Sequence, residues 1–555
     1  MSAGKPGIVD AALAAAYRTN GWWTDDTVAD AVTRHAASRP DHPAYLSATE
    51  VVTWSQLERS ATRLASELVA VGVDRGDRVA VWLPDVPALH VVFLAVEKIG
   101  AAVVGVGARS GRRELNHLLG RSRARVLVTG ARHGGQDTTE VVADLRADGI
   151  DVRHLVVDGP AAALHATIDG EAIDARPLGA EDLDVLRLDP DELFLINSTS
   201  GTTGLPKCVV HTQNRWRYFH QQAVANGDLT GDDVFLAAVP APFGFGIWTS
   251  HVTPMLLGAT TVLLDRFTPE AAFAAIERHG VTVLCCVSTQ FIMMLASATG
   301  AQHDLSSLRV TFTGGEPVPY ERALEFERTT GATILQFYGS NETGLLCGTT
   351  LRDTADQRLH TAGRVVPEMQ VRLYDGARDV TESGRGQPAC HGPATSVGYL
   401  DDPEANEQLL TADGWMLMGD ICEIDADGYL TVVGRTSDFI IRGGKNISAP
   451  QVEADVATHP AVAHVAVVAM PDPIFGERVC AYVELVTGAS LELADLTRHL
   501  AANGVSKELF PERLVVLDEL PRSSGAKVAK GELRDDIRRR LAAAPAEPHH
   551  AGAHR

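Results

Sequence analysis

Twice along this chain, short apolar runs of strand length alternate with amphipathic helix patterns. That alternation restricts the fold more than any other feature. Between residues 26 and 110, the helix-like TVADAVTRHAA and WSQLERSATRLASELVAVG are interleaved with RVAVWL and AAVVGVG. Between residues 190 and 340, LFLIN, VFLAAV, TTVLL, VTVLCCV, RVTFTGG and TILQFYG read as strands, with helical patterns between several of them. The pattern predicts layered α/β structure, helices covering sheets. Residues 360–435 turn β-rich and Gly-rich, and after about 436 a shorter α/β segment begins. Its strands lie near VAHVAVVAM and VCAYVELV and its helices near 450–457, 491–502 and 529–541. A chain of 555 residues exceeds what one core usually supports, and 45% apolar residues suffice for more than one. We therefore expect a large N-terminal α/β domain with a β-rich part over 1–435, a small C-terminal α/β domain over 436–541, and a disordered Ala/Pro/His-rich tail over 542–555.

Bulk charge narrows the partners. A formal charge of −22 argues against nucleic acid or an anionic membrane as a general partner. No apolar run approaches the roughly 18 residues of a membrane span. The N-terminal MSAGKPGIVDAALAAAYRTNG lacks the basic-then-apolar layout of a secretory signal. Seven irregularly spaced cysteines without CxxC spacing read as reduced thiols, so a cytoplasmic setting is expected. No metal-ligand cluster and no internal repeat stands out.

The strand-like LFLIN leads into a polar stretch. INSTSGTTGLPKCVVHT (196–212) reads as a strand, a flexible Ser/Thr/Gly loop with a Lys, and a return strand. Hydroxyls and Gly backbone N–H groups beside a Lys can hold phosphate oxygens. It is no Walker A loop: the second Gly comes one residue early, Pro206 precedes Lys207, and Cys208 stands where Ser or Thr would bind Mg²⁺.

The whole stretch closely resembles the signature loop of the adenylate-forming (ANL) superfamily of acyl- and aryl-CoA ligases, peptide-synthetase adenylation domains and luciferases. Five more segments resemble that superfamily in order and spacing: QFYGSNETG (336–344), DGWMLMGDICEIDADGYLTVVGRTSDFII (413–441), RGGKNISAPQVE (442–453), PDPIFGERVCAYV (471–483) and LPRSSGAKVAKGELR (520–534). The look is closest to bacterial ligases for alicyclic and aryl acids.

The resemblance implies an acid–thiol ligase of the acyl-CoA synthetase type with ATP, Mg²⁺ and coenzyme A, and a mobile C-terminal domain. A carboxylate attacks the α-phosphate of ATP, pyrophosphate leaves, and a thiol then displaces AMP from the acyl-AMP. By the same resemblance, Thr199, Ser200, Gly201, Thr202, Thr203, Gly204 and Lys207 belong to the loop over the β- and γ-phosphates. Glu342 faces Mg²⁺, and Asn341 stands where Thr usually meets the α-phosphate, an amide still being able to donate. Tyr338 and the loop Gly314, Gly315, Glu316, Pro317 sandwich adenine, and Asp420 and Arg435 bind the ribose hydroxyls. Lys527 is the catalytic lysine, although SSGAK replaces the usual TxTGK. Ser437, with Asp438 beside it, takes the hinge position where Asp or Lys is usual, and Gly443 and Gly444 resemble the glycines of the pantetheine path, with Lys445 a candidate counter-charge nearby.

The acid pocket implied by family position draws on Phe243, Gly244, Phe245, Trp248, Thr289, Phe291, Gly314, Gly339, Ser340 and Gly344. Phe243 stands where many acyl-CoA ligases carry His, and no Asp in PAPFGFGIW awaits a substrate ammonium. The expected substrate is thus an aryl, alicyclic or bulky polycyclic acid, such as those of secondary metabolism. Two acceptors stay open: coenzyme A, or a carrier-protein arm or partner ligase receiving the acyl-AMP. A monomer or homodimer is expected.

Overall fold

The computed structural model describes residues 9–199, 207–316, 318–435, 439–442, 445–472, 476–503, 505, 507–522 and 528–543. They divide into two compact units. The first holds the described residues through Thr199, those between Leu205 and Met418, and Ile424–Thr431. The second holds Gly419–Glu423 and the described residues from Val432 onward. The fold class is the expected one, mixed α/β with several sheets and a separate small C-terminal unit.

Two nine-stranded sheets dominate the first unit. One carries Val234–Ala237, Val283–Cys285, Val310–Gly314 and Thr333–Ser340 side by side in parallel. These are the apolar runs VFLAAV, VTVLCCV, RVTFTGG and TILQFYG; continuous rather than alternating apolarity suits parallel strands buried on both faces. Helices Pro269–His279, Ser288–Ala296 and Tyr320–Thr330 pack on this sheet through Ala272, Phe273, Phe291, Ala323 and Phe326. Their ends are written locally. The Thr268 side chain accepts from the Ala271 N–H at the start of the first, and Gly280 closes it in the left-handed region at φ 61°.

In the second sheet the order is Glu171–Ala172, His165–Ile168, Arg153–Asp158, Val126–Thr129, Arg78–Trp82, Ala102–Gly105, Leu193–Thr199, Lys207–Thr212 and Gly398–Tyr399. The two expected strands on either side of residues 200–206 are present as an antiparallel pair with Thr199 opposite Lys207. The return strand also pairs with Gly398–Tyr399, Val209 opposite Tyr399. A smaller β-rich layer pairs Gln370–Asp375 with Arg385–His391.

The second unit is a sheet of Lys445–Ser448, Phe439–Arg442, Gly476–Leu485 and Val462–Asp472, with Arg513–Val516 added in parallel. Helices Ala449–Ala457, Leu493–Ala502 and Lys530–Ala543 accompany it, within a few residues of their expected places. Its core is Val452, Val467, Val479, Ala481, Leu496 and Leu500. Among the described residues no helix is long and apolar enough to cross a membrane.

Candidate active site

The expected acid-pocket, adenine-loop and Glu342 candidates cluster at or just past the carboxyl ends of the four parallel strands. In open α/β sheets that edge is where ligands bind. Ala238 to Phe243 follow Val234–Ala237, and Thr289 follows Val283–Cys285. Gly315 and Glu316 follow Val310–Gly314, and Asn341 and Glu342 follow Thr333–Ser340. A Cβ on Gly314 would meet the Phe337 carbonyl at 2.6 Å, so these two strands run too close for a side chain there.

The segment after Tyr338 is a tight, self-bonded turn. Backbone N–H groups of Glu342 and Thr343 donate to Ser340 Oγ at 3.2 and 3.1 Å, while Ser340 N–H donates to Thr343 Oγ1 at 3.1 Å. A Cβ on Gly339 would lie 1.8 Å from the Gly344 carbonyl, and Gly344 itself has φ 69°. Only glycine meets both demands. The turn presents Asn341 and Glu342 half-buried. The Tyr399 hydroxyl donates to Glu342 Oε1 at 2.7 Å. Lys207 Nζ sits over the Tyr399 ring, 4.8 Å from its centroid. Burial first, and the Glu342 charge second, push the Tyr399 phenol up, so it stays a donor. Sequence reasoning missed Tyr399, which links Lys207 to Glu342. Its only signal was an aromatic inside the otherwise unassigned VGYLDD.

Behind Asn341 runs a line of buried polar groups. Asn197 Nδ2 donates to Asn341 Oδ1 at 3.2 Å, and His211 Nε2 meets Asn197 Oδ1 at 2.6 Å. Arg215 bonds to His211 Nδ1 and, through Nε, to the Ala394 carbonyl at 2.7 Å. Burial pulls the Arg215 guanidinium down to about 9, with Glu342 opposing, so it remains a cation at neutral pH. Burial, then the Arg215 charge, hold His211 well below the ordinary imidazole range and so neutral.

The pocket segment forms a helix Gly244–Ile247 that runs into a π-helical turn Trp248–Val252. Phe245 stacks on Trp248 at 5.7 Å and meets Phe337 edge-on at 4.9 Å. Phe219 stacks on the buried Trp248 at 4.6 Å, and Phe312 packs edge-on at 5.4 Å. The half-buried Phe243 packs against Gly107, where a Cβ would meet its ring at 3.0 Å. Phe291 is placed elsewhere: fully buried, it packs on Phe326 at 5.4 Å in the helix–sheet core. Glu316 is a strut, accepting from Ser288 Oγ at 2.8 Å and from Thr289 N–H at 2.7 Å, which ties the adenine-loop candidate to the start of helix Ser288–Ala296. Thr289 Oγ1 also donates to it at 3.3 Å.

Beneath the start of this segment lies a second buried line that sequence reasoning also missed. Asp85 Oδ2 accepts from Ala241 N–H at 2.9 Å, and Asp85 Oδ1 meets His90 Nε2 at 3.0 Å. His90 Nδ1 faces His251 Nδ1 at 3.2 Å, and His251 Nε2 meets Glu97 Oε1 at 3.0 Å. Tyr45 stacks on His90 at 4.6 Å.

Asp420 opens the strand Asp420–Ile424 and Arg435 closes Leu430–Arg435. Cys208 is buried, its thiol pushed up to about 11 by desolvation, so it serves as packing. Ser200, Gly201, Thr202, Thr203, Gly204, Pro317, Ser437, Asp438, Gly443, Gly444, Lys527 and the tail from 544 lie outside the described residues.

The family described as AMP-binding enzyme matches residues 32–400, and its C-terminal domain matches 451–527. The medium-chain fatty-acid–CoA ligase of Escherichia coli K12 is 34% identical over 95% of this chain and 93% of its own. The salicyl-AMP ligase / salicyl-S-ArCP synthetase of Mycobacterium tuberculosis is 32% identical over 93% of this chain and 92% of its own. The o-succinylbenzoate coenzyme A synthetase of Bacillus subtilis, solved with ATP and magnesium ion, superposes with a TM-score of 0.78 at 25% identity, over 92% of this chain and 99% of that one. With its strand-edge site and both family domains matched in order, the chain belongs to the AMP-binding enzyme family, the adenylate-forming superfamily of ligases that activate a carboxylic acid as its acyl-AMP.

Proposed function

We propose that this chain activates a hydrophobic aryl, alicyclic or bulky polycyclic acid and transfers it to coenzyme A. A carboxylate oxygen attacks the α-phosphorus of ATP, the bond to pyrophosphate breaks, and a thiolate then expels AMP from the acyl carbon. The reading is carried by the self-bonded turn that sets Glu342 and Asn341 beside Tyr399, Lys207 and the Phe245–Trp248–Phe337 wall. Aromatic faces without a carboxylate suit an apolar ring and offer nothing to an ammonium.

In this reading Lys207 and the loop from Thr199 to Gly204 hold the outer phosphates, and Asn341 donates to the α-phosphate. Tyr338 and the 314–317 loop grip adenine, and Asp420 and Arg435 the ribose. Lys527 brings positive charge to the transition state, where preorganised charge is worth most. The domain 436–541 turns about Ser437 and Asp438 to exchange Lys527 for the thiol path at Gly443 and Gly444. Among the described residues no three His, Cys, Asp or Glu side chains form a metal cage. A single carboxylate, Glu342, fits Mg²⁺, which keeps water and phosphate oxygens as its other ligands and supplies charge neutralisation when bound. A second reading, handing the acyl-AMP to a carrier-protein arm, draws on Ser437 at the hinge and on the likeness to the salicyl-AMP ligase.

Acid-dependent pyrophosphate release with ATP and Mg²⁺, over aryl, alicyclic, fatty and polycyclic acids with and without CoA, tests both. Release with an acyl-CoA product is expected. Release without acyl-CoA overturns the second step, and preference for straight-chain acids overturns the substrate class.

A further inference from the structure

We infer that Arg215, His211 and Asn197 are positioning residues that fix which end of the Asn341 amide faces the reacting phosphate. The inference rests on the proposed place of Asn341 at the α-phosphate. An asparagine there poses a problem that the usual threonine does not: its amide is ambidextrous. The NH₂ end donates to a phosphate oxygen; the carbonyl end repels it. The two ends have nearly the same shape, so sterics alone cannot choose.

The buried line chooses. A guanidinium has donors and no acceptor. Facing Arg215, His211 Nδ1 must accept, which puts the proton of this neutral ring on Nε2. His211 Nε2–H must then meet the carbonyl of Asn197. That leaves the Asn197 NH₂ group to donate, so the Asn341 atom it meets is the carbonyl oxygen. Each assignment follows from the one before, and all follow from a single donor-only group. Asn197, His211 and Arg215 are at most 2% exposed, so bulk solvent does not reach them to offer other partners. Packing agrees: a Cβ on Gly244 would lie 2.4 Å from Asn341 Oδ1, so the oxygen end is wedged between Asn197 and the pocket helix. The donor end is the one left outward on a half-buried side chain.

The sharpest test reverses the polarity with almost no change of shape. Asn197→Asp still accepts from His211 but cannot donate, so Asn341 should turn its NH₂ inward and its carbonyl outward. In the full-length protein we expect kcat for acid-dependent pyrophosphate release to fall about tenfold or more, with KM for ATP changed less than about threefold. Discrimination between the two α-phosphorothioate diastereomers of ATP should shift as well, a readout that a loss of packing would leave alone. On an Asn341→Ala background, Asn197→Asp should cost less than about twofold more. Full activity of Asn197→Asp, or an equal loss on both backgrounds, overturns the relay. Full activity of Asn341→Ala instead overturns the reading of Asn341 at the phosphate. Should Asn197→Asp not fold, His211→Gln, which accepts and donates like the imidazole, is compared with His211→Phe, which does neither. Gln near wild type with Phe about tenfold down supports the relay, and equal activities overturn it.

Discussion

Two buried lines of polar side chains back this site, and their ends differ. One starts at a cation, Arg215, and runs through His211 and Asn197 to Asn341. The other is closed by carboxylates at both ends, Asp85 and Glu97, with His90 and His251 between them. In the first, a donor-only end dictates every direction with no added proton. In the second, both carboxylates accept only, so both rings donate from Nε2. The facing Nδ1 atoms, 3.2 Å apart, then bond only when one of them is protonated. Burial, against the opposing Asp85 carboxylate, holds His90 below the ordinary imidazole range, so a neutral pair leaves the contact between the two Nδ1 atoms without a proton of its own. The first line fixes orientation and the second leaves its central contact undirected, and each supports one side of the site, Asn341 and the Ala241 end of the pocket segment.

His251→Leu should break the comparison most severely. It leaves the Glu97 carboxylate, 1% exposed and with Oε2 already lacking a hydrogen-bond partner, facing an apolar side chain. We expect a loss of about 3–5 kcal/mol in urea denaturation; a loss under about 1 kcal/mol would mean that Glu97 does not depend on His251 for its partner. Tyr399→Phe comes next. It keeps the ring under Lys207 but removes the donor to Glu342, worth about 1.5–3 kcal/mol for a bond to a charged group. Pyrophosphate release should slow about ten- to a hundredfold with a weaker response to Mg²⁺; an unchanged Mg²⁺ titration would sink the Glu342 assignment.

Acid should weaken the fold through both lines. Burial holds His211 well below its ordinary range, and on the second line it holds His90 below that range too. Between the unfolded value near 6.5 and those folded values, the unfolded chain binds protons that the native state refuses. Stability therefore falls as pH drops through that window, by about 1.4 kcal/mol per pH unit per histidine. His211→Gln removes one such group, so the urea midpoint should depend less steeply on pH below about 6; an unaltered slope would mean that His211 is already charged. The smallest effect is expected at Phe245→Leu. Losing its contacts with Trp248 and Phe337, about 0.5–1.5 kcal/mol each, should shift kcat/KM for aryl over straight-chain acids by about three- to tenfold. No shift would remove Phe245 from the acid wall.

Much of this was legible along the chain. The parallel strands appeared as continuous apolar runs because burial on both faces forbids alternation. The antiparallel pair Leu193–Thr199 and Lys207–Thr212 announced itself by a polar stretch between two such runs. The two buried lines were not legible. Asn197 at the end of LFLIN and His211 in VVHT looked like single polar interruptions of strands, and Asp85, His90 and Glu97 lay in PDVPALHVVFLAVEK, a stretch with no assigned role. Phe291 was assigned to the pocket by family position, yet a residue one helical turn into Ser288–Ala296 can face either the strand edge or the core, and here Phe326 draws it into the core.

The sequence by itself determined the α/β layering and the family, because apolar periodicity and motif spacing are local properties of the chain. Only the tertiary structure decided which atom faces which. His211 meets Asn197 from 14 positions away, Asn341 meets it from 144, and His90 meets His251 from 161. The polarity of a hydrogen bond depends on the partner found, and these partners are joined by the folding of the sheets rather than by the order of residues.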